Sequence, residues 1–222
     1  MLCRTFLVIS VLFTAAMLPG CQKARPLEAV RASGDQYFAA GNYSAARDQY
    51  AELVSRSPGD WQGQYKLGLS LLQTGEYAAA RRALEIAYSA RRDNPDVANA
   101  LAEAMFRLGE DSKLFAFLRE RASTRQTVDA YLQLGKYALE LNDPDSAQTA
   151  IETAIQIDGG NTTEPYLAAA TLAERLGHLD VAVSRLRQAL GINPMDPRVQ
   201  ARLRALGEDP ARITPLPPGR AL

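Results

Sequence analysis

The chain has 222 residues, of which 47% are hydrophobic and 23% charged, with 25 Lys plus Arg set against 25 Asp plus Glu. That balance belongs to a folding chain rather than to general disorder, and a formal charge of zero lacks the cationic surplus needed to grip phosphates. One His and two Cys leave no ligand set for a His/Cys zinc site and no disulfide framework.

The first residues carry an address. Arg4 is followed by an apolar run from Phe6 to Leu18, then by Pro19, Gly20 and Cys21. A basic start, a short apolar run and a small residue form the pattern of a secretory signal. The run is shorter than the roughly 20 residues of a permanent span. Leu18-Pro19-Gly20-Cys21 resembles the lipobox of bacterial lipoproteins, with Pro19 where Ala or Ser is commoner. The resemblance implies a signal peptide over residues 1–20, a lipid-bearing Cys21 opening the mature chain, and a linker over 21–26. Two or three acyl chains would anchor it, since one alone binds only marginally. Cys3 would leave with the signal, which suits an oxidising compartment. Gln22, in place of the Asp that retains such proteins at the inner membrane, implies the outer membrane facing the periplasm.

Beyond the linker the sequence repeats. Gly41, Gly75, Gly109, Asn142 and Gly177 stand 33 to 35 residues apart. Ahead of each lies a helical pattern with a small member: Gly34, Gly68, Ala102, Gly135 and Ala170. After each comes a second stripe, such as Ala46, Tyr50, Leu53 and Val54, or Ala80, Leu84, Ala87 and Tyr88. The spacing i, i+4, i+7, i+8 predicts one apolar helix face. Gly or Asn between the stripes predicts a helix closed by a left-handed residue. Pro58, Pro95 and Pro194 are expected at the ends of second helices, and Pro144 and Pro165 near helix starts; none interrupts a stripe.

Five units follow, over about 27–60, 61–94, 95–127, 128–162 and 163–194. In the third, Leu114 replaces the small residue and Asp111 the turn aromatic, so its second helix, with Phe115, Phe117 and Leu118, is expected to pack further out. Residues 195–206, with Val199, Leu203 and Leu206, predict a capping helix that covers the last apolar face. The proline-rich stretch 207–222 is expected to be a disordered tail.

These units resemble tetratricopeptide repeats, whose pattern joins Leu-Gly or Leu-Ala in a first helix, a Gly-x-Tyr turn, and Ala followed by Leu or an aromatic in a second. The resemblance covers residues 27 to about 194. It implies an all-α, right-handed superhelical solenoid whose first helices line a concave groove. In this register the inward residues are Arg31, Asp35 and Phe38; Tyr65, Leu69 and Leu72; Asn99, Glu103 and Phe106; Leu132, Lys136 and Leu139; and Leu167 and Thr171. Asp35 and Leu69 fall where a carboxylate clamp would want Asn or other polar groups. The lining is instead largely apolar, which suits an apolar or amphipathic segment of another protein.

No catalytic centre is expected. His178 stands in a turn without a second His or Cys, Asn161-Thr162-Thr163 reads as the cap of a helix beginning near Pro165, and Gly159-Gly160 lacks the Lys of a phosphate cradle. The sequence therefore predicts a lipid-tethered scaffold with no enzyme activity, cofactor, metal, nucleic acid or small-molecule substrate. Its membrane contact would be the lipid on Cys21 and its partners envelope proteins. By resemblance to lipoproteins of pilus biogenesis, the favoured setting is a pilus or secretion apparatus. The alternatives are an adaptor for peptidoglycan hydrolases or polysaccharide export, and a subunit of an enzyme complex.

Overall fold

The computed structural model describes residues 24–219; the signal over 1–20, Cys21 and the last residues of the tail lie outside that range. The described residues form eleven α-helices and no strand. They pair as antiparallel hairpins: α1 (Leu27–Ala39) with α2 (Tyr43–Arg56), α3 (Trp61–Gln73) with α4 (Tyr77–Ala90), α5 (Pro95–Arg107) with α6 (Asp111–Arg125), α7 (Val128–Glu140) with α8 (Pro144–Asp158), and α9 (Glu164–Arg175) with α10 (Leu179–Ile192). A last helix, α11 (Pro197–Ala205), packs on α10.

The turns explain the hairpins. Gly41, Gly75, Gly109, Asn142 and Gly177 all have φ between 59° and 81°. At the first, the Asn42 N–H donates to Tyr37 O and the Gly41 N–H to Phe38 O, and the same pair of bonds recurs at the other four. These bonds satisfy carbonyls that a helix end would otherwise leave open. The same turn geometry recurs at each hairpin, which is how a local rule builds a solenoid.

Packing inside each hairpin depends on the small residue. A Cβ on Gly34 would meet the Tyr50 ring at 2.8 Å, on Gly68 the Leu84 side chain at 2.5 Å, and on Gly135 the Ile151 side chain at 2.8 Å. The large partners Tyr50, Leu84, Leu118, Ile151 and Leu186 are all buried. Removing one such side chain from water stabilises the fold by about 2 kcal/mol. The third hairpin differs as expected. Leu114 is fully buried where the other second helices carry Ala46, Ala80, Ala147 and Ala182, and α5 and α6 approach each other least closely of the five pairs.

The structure corrects three local expectations. Pro95 opens α5 rather than ending α4, because the ring sets φ for a helix start and the missing N–H is not needed there. Thr163 precedes α9 without capping it; its hydroxyl donates instead to Asp196 Oδ2 at 2.8 Å. The tail over 207–219 is not a free coil in the structure. It turns back over α10, where the Leu216 N–H donates to Arg187 O at 3.0 Å, and Ile213 packs on the last core cluster. Composition alone does not register this, since the seat is made by residues of α9 and α10.

Candidate peptide-binding groove

The first helices α3, α5, α7 and α9 stand side by side, so residues on their shared face form a continuous surface. None of the groove residues expected from the sequence is fully covered. Arg31, Phe38, Tyr65, Leu69, Leu72, Glu103, Phe106, Leu132, Leu139, Leu167 and Thr171 are half-buried, and Asp35, Asn99 and Lys136 exposed. The apolar members are supported from beneath. Phe38 packs on the first core cluster, Tyr65, Leu69, Leu72 and Phe106 on the middle one, and Leu139 and Leu167 on the last. Each is thus held in place by the core while keeping part of its surface available.

At the N-terminal end, the Lys66 ammonium lies 5.0 Å from the centre of the Phe38 ring. Arg31 pairs with Asp60 at 2.5 Å, and the Tyr50 hydroxyl donates to Asp35 at 2.7 Å. These two charges are therefore already engaged. In the middle, the rings of Phe106 and Tyr137 lie 5.5 Å apart. The Tyr137 hydroxyl donates to Glu103 at 3.1 Å, and the Lys136 ammonium sits 4.9 Å over the same ring. Burial, and then Glu103, push the Tyr137 phenol well above its usual range. Burial, followed by Asp96, also raises that of Tyr65. Both remain neutral donors near pH 7.

Towards the C-terminal end the structure brings Leu132, Lys136, Leu139 and Thr171 together. With Ala168 and Arg175 they line a recess of about 180 Å³. Arg175 forms its rim, donating to Leu139 O at 3.1 Å and pairing with Glu140 at 2.6 Å. The last first helix is closed off by α11, whose Arg202 donates to Leu167 O at 2.8 Å and to Thr171 Oγ1 at 3.1 Å. Arg202 also pairs with Glu174 at 2.8 Å. Arg31, Asp35 and Asn99 are not drawn into this recess.

Lys66, Tyr137, Arg175 and Arg202 were not anticipated. Tyr137 carried a signal: it occupies the register held by Ser70 and Ala104, both fully buried, so an aromatic there is packed inside with its hydroxyl needing a partner, which Glu103 supplies. Arg202 carried none, since its role depends on how the cap docks. Cations and carboxylates alternate along the face and are mostly paired, so the groove offers apolar contact with a mixed polar rim. Among the described residues no three His, Cys, Asp or Glu are grouped to hold a metal ion, and no helix is long and apolar enough to cross a membrane. His178 precedes α10, exposed, without a side-chain cap bond.

Comparison with known proteins agrees with this geometry. Models of the tetratricopeptide repeat match residues 31–95, 65–113 and 128–161. The fold is similar to that of a thermophilic tetratricopeptide repeat protein of Thermus thermophilus, TTC0263, at 21% identity, covering 82% of this chain and 98% of that one, with a TM-score of 0.59. It is similar also to the MamA protein, at 20% identity over 86% and 98% of the two chains, with a TM-score of 0.58. YrrB, described as having an unusual peptide-binding site, matches at 16% identity over 79% and 90%, with a TM-score of 0.51. No curated protein matches the sequence significantly. With more than half of its residues matched by the family's repeat models and its hairpins stacked as the repeat requires, the chain belongs to the tetratricopeptide repeat family.

Proposed function

We propose that the chain is a non-enzymatic scaffold that holds an apolar or amphipathic segment of a partner protein in its concave groove. The observation that carries this is the row from Phe38 through Leu72, Phe106 and Leu139 to Leu167, half-buried side chains seated on the core and only partly covered by a neighbouring repeat. A helix laid in such a groove would bury its apolar stripe at about 25 cal/mol for each Å² removed from water. The peptide-binding description of YrrB supports this general mode.

The N-terminal pattern supports a finer setting. Cys21 in its lipobox-like context would tether the scaffold to the bacterial envelope, at the outer membrane facing the periplasm. There it would gather components of an envelope assembly, with a pilus or secretion apparatus preferred. The test is a pull-down of the full-length protein from detergent-solubilised envelope, read by mass spectrometry, beside the Leu72→Glu and Leu139→Glu variants. Loss of the same partners from both variants, with helix content intact, is expected. Unchanged partners would overturn the groove. A Cys21→Ser variant that still fractionates with the outer membrane would overturn the tether.

A further inference from the structure

The tail of the chain is docked on the last hairpin. The chain's own residues 213–219 lie against α10, without regular secondary structure over 214–217, with Ile213, Leu216 and Pro218 half-buried and Thr214, Pro215 and Pro217 exposed. Their main chain is read at four points. Arg187 O accepts from the Leu216 N–H at 3.0 Å, and Arg187 Nε donates to Thr214 O at 2.7 Å. Gln188 Nε2 donates to Pro217 O at 3.4 Å, and the buried Tyr166 hydroxyl accepts from the Gly219 N–H at 2.7 Å.

Two glycines make room. Gly191 lies within α10, where Ala would be the better helix former, yet a Cβ there would collide with the Leu216 backbone oxygen. The space beside Gly160, in the loop before α9, is filled by Pro218, whose ring atoms would stand 2.9 Å from a Cβ. A seat that reads the tail's main chain with Arg187 O and the Arg187, Gln188 and Tyr166 side chains, and that leaves room at two glycines and a proline contact, fits a proline-rich strand and excludes a helix.

We propose that this face is a binding site for an extended, proline-containing peptide, and that the chain's own tail occupies it in cis. The link from α11 to Ile213 is short, and a short tether raises the local concentration of the tail to the millimolar order. A weak intrinsic affinity therefore suffices to keep the site filled. A partner presenting a better strand of the same kind displaces the tail. This inference does not depend on the concave groove, because the two sites share no residue.

Hydrogen exchange of the full-length chain provides the first test. The Leu216 and Gly219 amides should be protected, and Gly191→Ala should abolish that protection while helix content is kept. Persistent protection in Gly191→Ala would overturn the seat. In the second test, Leu216→Pro removes the tail's own donor, and the full-length variant is titrated with a labelled peptide of residues 209–219. Saturable binding at or below millimolar peptide is expected, with loss when Gly191→Ala is added. Equal binding by both variants, or none by either, would overturn the proposal.

Discussion

The second and third hairpins of the same solenoid solve one packing problem in two ways. In the second, Gly68 and Ala80 let α3 and α4 meet so closely that Leu84 fills the space a Cβ would need. In the third, the same registers hold Ala102 and Leu114, both fully buried, and α5 and α6 stand further apart. A second substitution accompanies the first. The stripe position held by Leu53, Ala87, Ala154 and Ala189 in the other units is Arg121 in the third, and its side chain is only 3% exposed. Arg121 pairs with Asp129 at 2.5 Å and donates to Gln133 Oε1 at 3.1 Å, while Gln133 Nε2 donates to Ala98 O at 3.1 Å. The wider hairpin is therefore tied to α7 by a polar network where its neighbours rely on apolar contact. Close approach of helices goes with two small residues, and where one is lost the contact between adjacent units changes from apolar to polar.

The largest expected effect separates spacer from core. Leu118→Ala should cost about 2–5 kcal/mol in urea unfolding, the range for removing a buried Leu. Leu114→Ala should cost clearly less, because α6 then closes to the distance its neighbours adopt and little cavity remains. Equal losses at the two positions would mean that Leu114 is ordinary core and that something else holds the helices apart.

The two hairpins also differ in how much of each was visible before folding. The turns were legible, because a left-handed φ restricts the residue itself: Gly at four turns and Asn142 at the other needed no tertiary information. The helix face that carries the half-buried row was legible by another route, since register within a repeat decides which face a side chain takes. Leu114 was visible as an intruder in a column of alanines. Arg121 was equally visible, a charge in an apolar column, but its meaning rests on Asp129 and Gln133, which belong to another element. The docked tail was hidden more deeply. Its proline content predicts disorder, and the opposing sign is a glycine in α10 whose reason is a chain segment about 25 residues away.

A smaller effect contrasts two carboxylates that tie elements together, one in the middle of the array and one at its C-terminal cap. Asp129 loses some stability of its charged form through burial, yet hydrogen bonds from Thr127 and Arg121 prevail and its pKa is lowered. At the cap, Arg198 above all, with Thr163, holds Asp196 far below the usual carboxylate range. A folded-state pKa below the unfolded one gives stability that is complete above about pH 4 and is lost as pH falls through the folded value. Thermal stability should therefore fall steadily below about pH 4. Asp196→Asn should cost about 1.5–3 kcal/mol at pH 7 and flatten the acid limb more than Asp129→Asn does. Parallel acid limbs for the wild type and both variants would show that neither carboxylate ties the units.

The smallest effect probes the crossing point itself. Gly68→Ala gains about 1 kcal/mol of helix propensity but drives a Cβ to 2.5 Å from Leu84 Cγ. Overpacking of that kind costs about 1–3 kcal/mol, so a net loss near 1 kcal/mol is expected. The reciprocal change, Ala102→Gly, should lose about 1 kcal/mol of propensity and up to about 0.8 kcal/mol more for the buried methyl, because Leu114 still props α6 away and the vacated space is not filled. In a Leu114→Ala background, α6 can close onto the space that Ala102→Gly vacates, and the loss from that change should shrink by about 0.5 kcal/mol or more. That coupling, read from a double-mutant cycle in urea, is the direct measure of whether two small side chains act jointly to set the distance between helices. Additive losses would place the control of spacing elsewhere in the unit, with the Arg121 network the next residue set to test.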